Sequence, residues 1–104
     1  MPGAEVVRLG ETVNYQEGAV VTRTLVKHAA GTITTFAFDA GQGLSEHTAA
    51  FDALLQMIEG EAEITISGKA FQLREGEAIL LPGNEPHAVE ATTRFKMLLT
   101  MIRW

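Results

Sequence analysis

Two histidines stand where this chain could do chemistry. His47 lies in GLSEHTAAFDALLQMIEG, residues 43–60, and His87 closes the run PGNEPH, residues 82–87. An imidazole can ligate a first-row divalent ion through a ring nitrogen, or carry a proton near neutral pH. There is no cysteine, so neither a thiolate ligand nor a thiol nucleophile is on offer. Ser45 and Ser67 have no base and orienting group near them in sequence, so a serine nucleophile is not supported. His28 sits beside a turn signal and reads as a surface residue. Glu59, Glu61 and Glu63 read as a solvated edge rather than an acid–base pair.

The elements that must hold these residues read as strands. AVVTRTLVKH, the turn Ala29-Ala30-Gly31 and TITTFAFDAG predict a β-hairpin. DALLQMIEG comes closest to a helical stripe, but Gly60 and the pattern beyond it favour strand. After Gly60 the alternation is clean: Ala62, Ile64 and Ile66 share one face, and Glu61, Glu63, Thr65 and Ser67 the other. Ser67-Gly68-Lys69 predicts a tight turn, Phe71 and Leu73 an inward pair, and Glu75-Gly76-Glu77 a second turn into AILL. Pro82-Gly83-Asn84 ends that strand, and another runs through His87, Ala88 and Val89. Eight or nine short strands predict an all-β sandwich or barrel. Residues 1–19 are polar and Gly-containing, an extension expected to pack loosely or add an edge strand; residues 20–104 form the predicted barrel domain. The last segment, RFKMLLTMIRW, is apolar on both faces, so either the monomer covers both or one meets a partner subunit. A homodimer is the expectation.

Composition narrows the partners. Of 104 residues 46% are hydrophobic and 20% charged, values of a globular chain long enough for one core. Thirteen acids against eight bases give a formal charge of −5. With no Lys/Arg cluster to offset it, a nucleic-acid partner is not expected. MPGAEVVRLGE lacks the basic and apolar regions of a signal peptide, and AILL and MLLTMI are too short to span a bilayer. A soluble, cytoplasmic protein without a membrane partner is the default expectation.

Spacing is the more specific signal. Five residues separate Gly41 from His47, one separates His47 from Ala49, three separate Ala49 from Ala53, and six separate Ala53 from Gly60. This resembles the first motif of the cupin superfamily, G-x5-H-x-H-x3-E-x6-G, with both glycines and the first histidine kept. From Gly76, five residues lead to Pro82, Asn84 follows two further on, and His87 three beyond that. This resembles the second cupin motif, G-x5-P-x-G-x2-H-x3-N. Asn84 replaces its second glycine with a residue that tolerates a left-handed turn, and Ala91 replaces its last asparagine.

The resemblance covers about residues 20–104 and implies a small single jelly-roll (cupin) β-barrel, commonly dimeric. In that family four residues of the two motifs bind a divalent metal inside the barrel. Carried over, His47 and His87 keep the first and last ligand positions, while Ala49 and Ala53 stand at the second and third. The implied cofactor is therefore a divalent ion, Fe, Mn, Ni or Zn, on two histidines. Substitutes for the lost ligands have no motif behind them: alternation turns Asp52, Glu46 and Gln56 outward unless a bulge re-aims one, and Glu85 lies at the barrel mouth. The two alanines also empty volume. Ala49, Phe51, Ala53 and Met57 are the expected lining of an apolar pocket with two imidazoles at its mouth, suited to a small-molecule ligand or substrate. Three readings follow: a metal-dependent cupin enzyme, a metal-free sensor or carrier of a small ligand, and a scaffold that assembles through its last strand.

Overall fold

The structure is a computed structural model that describes residues 1–103; Trp104, the last residue of the predicted barrel domain, lies outside them. Among the described residues nine strands follow a single 3₁₀ turn at Leu9–Glu11. They are β1 (Val20–His28), β2 (Gly31–Phe38), β3 (Gly43–His47), β4 (Ala53–Glu59), β5 (Glu61–Ile66), β6 (Lys69–Arg74), β7 (Ala78–Leu81), β8 (His87–Glu90) and β9 (Phe95–Ile102). Within DALLQMIEG, Ala53–Glu59 is strand, as the alternation requires. None of the described residues forms a helix long and apolar enough to cross a membrane.

The jelly roll is built as two antiparallel sheets laid face to face. One has the order β1-β2-β9-β4-β7, the other β3-β8-β5-β6. Their hydrogen bonding does not run from one sheet into the other, so the expected barrel is an open sandwich with edges at β6 and β7 and at β1 and β3. Alternation builds the core. Ala53, Leu55 and Met57 of β4 point inward against Ala62 and Ile64 of β5, Val89 of β8, and Phe95 and Met97 of β9. Phe38 stacks on Phe95 at a centroid distance of 4.4 Å, filling the centre with aromatic area. Two-residue turn chemistry sets the β5–β6 register. Ser67 and Gly68 take φ of 49° and 82°, as the twist of a tight hairpin demands.

Residues 1–19 contain no strand. They cross the outer face of the five-stranded sheet as a strap. Lys96 Nζ donates to the Gly10 carbonyl, Thr12 and Thr35 share a hydroxyl hydrogen bond of 3.0 Å, and the Tyr15 hydroxyl donates to Glu59 at 2.8 Å. Thr35, Lys96 and Leu98 on that face are buried. The monomer thus covers both faces of the first half of β9, which accounts for its apolar reading there.

Candidate functional site

Two loops cross between the sheets at the same end of the sandwich. Residues 48–52 lead from β3 to β4, and residues 82–86 from β7 to β8. The loops are laced together. Asn84 N–H donates to the Ala49 carbonyl at 2.7 Å, and Gly83 N–H to Asp52 Oδ1 at 2.8 Å. A Cβ on Gly83 would meet the Ala50 carbonyl at 2.9 Å, so a larger residue there would push the loops apart. Asn84 has φ of 67°, the left-handed conformation its motif position calls for.

This lacing fixes the last residue of β3 beside the first residue of β8, and those residues are His47 and His87. They are register partners. The β3–β8 register slips between Leu44 and His47: three steps along β3 match two along β8, from Val89 to His87. Without that bulge, alternation from inward-facing Leu44 would turn His47 to the other face. With it, His47 lies opposite His87, ring centroids 4.3 Å apart and planes at 70°.

Each ring is held the same way. His47 Nδ1 lies 2.8 Å from the Ser45 carbonyl and His87 Nδ1 3.2 Å from the Glu85 carbonyl, each two residues back. A carbonyl oxygen only accepts, so Nδ1 carries a proton in both rings, and Nε2 is the nitrogen left with a lone pair whenever the ring is neutral. This is the backbone support that metal-ligating histidines commonly have. His87 is only 7% exposed. Burial pushes its pKa below the ordinary 6.5; the Glu85 carbonyl opposes that, and the nearby His47 adds to it. His87 is therefore neutral at pH 7, as a ligand must be.

The other expected site residues are placed as follows. Ala53 and Met57 belong to the core, Ala49 is half-buried on the crossing loop, and Phe51 is half-buried two residues on. The main surface cavities open elsewhere and are lined by none of these four. Asp52 is committed to the Gly83 amide, and Glu85 Oε1 accepts from the Ser67 hydroxyl at 3.1 Å. Glu46 and Gln56 are exposed, and His28 Nδ1 accepts from Ala30 N–H within its turn. Among the described residues no group of three or more His, Cys, Asp or Glu converges on one point. The two imidazoles are therefore the donors on offer here, and a divalent ion on them would have to complete its shell from water or ligand. The carbonyls of Ser45 and Glu85 were not picked out from sequence, although each stands two residues before its histidine.

Comparison with known proteins fits this geometry. A family model described as a cupin domain matches residues 34–103. The chain belongs to the cupin family. Among solved structures, this cupin is similar to a conserved protein of unknown function from Streptococcus pyogenes, with 34% identity, a TM-score of 0.94, and coverage of 100% of this chain and 91% of that one. It is similar to a cupin superfamily protein from Desulfitobacterium hafniense at 26% identity and a TM-score of 0.92, over 98% and 94% of the two chains. A cupin 2 conserved barrel domain protein from Leptotrichia buccalis is 41% identical with a TM-score of 0.87, over 90% of this chain but 46% of its own. Among curated proteins, none matches the chain.

Proposed function

We propose that this cupin is a small-ligand protein that holds a divalent ion, Fe, Mn, Ni or Zn, on Nε2 of His47 and Nε2 of His87. The observation that carries this reading is the shared pinning of both rings: each Nδ1–H is spent on a backbone carbonyl, which leaves Nε2 as the nitrogen of each ring open to an ion, on rings 4.3 Å apart. When bound, such an ion supplies Lewis acidity to an oxygen-bearing ligand. The chain's own residues fix the tautomers, keep His87 neutral and leave the Ala49 and Ala53 positions without a donor. Affinity is then well below that of three- and four-ligand sites. Titration calorimetry with each of the four ions tests this. One ion per chain should bind to the wild type and be lost in His47→Ala and in His87→Ala; binding that survives both substitutions refutes the site.

The second reading is a metal-free carrier or sensor, favoured by the absence of a third converging donor among the described residues. There the same Nε2 atoms accept hydrogen bonds from the ligand, which raises the melting temperature with the logarithm of its concentration.

We infer that the functional unit is a homodimer. Leu80, Leu54, Thr100, Ile33 and Val26 are successive register partners across all five strands of the larger sheet. They form an uncharged row on its outer face, where Leu80 and Val26 are 51% and 47% exposed. A charge-free row of this kind suits a two-fold pairing with its own copy, and offers nothing to phosphate or an anionic lipid surface.

A further inference from the structure

The smaller sheet carries a cross-strand row of its own. His47 pairs with His87, His87 with Ile66, and Ile66 with Lys69, so the row crosses β3, β8, β5 and β6 from two imidazoles to a cation. Ile66 packs on the core, so the row lies on the inner face of this sheet. It ends at the seam between β6 and β7, where the sandwich is open. A cleft of about 490 Å³ occupies that seam, lined chiefly by Ile66, Phe71, Ile79, Leu80 and Pro82, with Lys69, Ser67 and Glu85 as its polar groups. Ile66 and Ile79 join its floor to the core.

The charges in the cleft are not equivalent. Glu85 accepts from the Ser67 hydroxyl. Lys69 makes no ion pair among the described residues; its ammonium lies 5.2 Å from the centre of the Phe71 ring. An apolar cleft with one uncommitted cation over an aromatic face suits an anion with an apolar body. We propose that this cleft binds a small aryl or alkyl carboxylate, its carboxylate on Lys69 and its apolar part across Phe71, Ile79 and Ile66 toward His87. Along the row Lys69 lies two strands from His87, roughly 10 Å at the usual strand spacing. The site stands independently of any ion on the histidines.

The test is amide chemical-shift titration of the full chain with excess EDTA, using 3-phenylpropionate, 3-phenylpropanol and 3-phenylpropylamine as probes. 3-Phenylpropionate is expected to move the amides of Ile66, Lys69, Phe71 and Ile79 at millimolar concentration. It should bind about fivefold tighter than the alcohol, as a partly exposed ion pair allows. In Lys69→Met, an exposed substitution whose fold the same spectra verify, that preference should vanish while the alcohol binds as before. His28→Ala, on β1 of the other sheet and outside the cleft lining, should leave all three affinities unchanged. The proposal is overturned if no probe moves those amides, if the preference survives Lys69→Met, or if the amine binds best.

Discussion

His47 and His87 meet as register partners because a bulge in β3 shifts His47 by one residue into the row of His87. The rings sit 4.3 Å apart, and each Nδ1–H is held by the carbonyl two residues before it. The proposed ion site rests on that relationship.

Restoring a lost ligand should strengthen the site. Ala53 is inward-facing and 5% exposed. Ala53→Glu returns a carboxylate to the family's third ligand position, and affinity for Mn or Zn should rise at least tenfold by calorimetry. Without metal the same substitution buries an unpaired carboxylate and should cost about 3 kcal/mol in denaturant unfolding. Added metal should recover most of that loss.

Acid should weaken the fold through His87. Its pKa is lowered in the folded chain, chiefly by burial, so the unfolded chain binds the proton more readily. Stability is therefore full above the ordinary value of 6.5 and falls as pH drops below it through the lowered folded value. Denaturant midpoints measured between about pH 7.5 and pH 5 should decline, and His87→Gln should flatten that part of the decline.

The strap should be part of the stable unit. Thr12 Oγ1 lies 2.6 Å from the Leu9 carbonyl and 3.0 Å from Thr35 Oγ1, and both threonines are buried. Thr12→Val removes both contacts and should destabilise by about 1–2 kcal/mol. Tyr15→Phe, which loses the hydrogen bond to Glu59, should cost about 1 kcal/mol. Thermal melts of the two variants check both values.

Association should depend on the uncharged row. Leu54→Glu with Leu80→Glu places two carboxylates in its middle, and sedimentation should then report a monomer with an unchanged far-ultraviolet spectrum. A dimer persisting in the double variant would move the interface elsewhere.

Much of this was legible in the residues. Period-two alternation in Glu61–Ile66 gave the inward set, and the turns at Gly31, Gly68, Gly76 and Asn84 lie where punctuation residues stand. Motif spacing located both histidines. Three features were not legible. The bulge at Ser45-Glu46 has no glycine or other local signature, and a strict alternation would have turned His47 away. The burial of Leu98 depends on a strap some 80 residues earlier in the chain, a contact no local pattern encodes. The sandwich stays open because β6 and β7 diverge after the turn at Gly76 and pair only with β5 and β4, which is a property of the register rather than of either strand's composition.

The central claim is that both imidazoles present an unprotonated Nε2 to one ion. Long-range proton–nitrogen correlation spectra of the histidine side chains, recorded at about pH 7.5 during zinc titration, read this directly. The account predicts that His47 and His87 are both Nδ1–H tautomers before zinc is added. It predicts that both Nε2 resonances then shift together and saturate at one ion per chain, while His28 does not respond. An Nε2–H tautomer at either ring, or shifts confined to one of them, would contradict it.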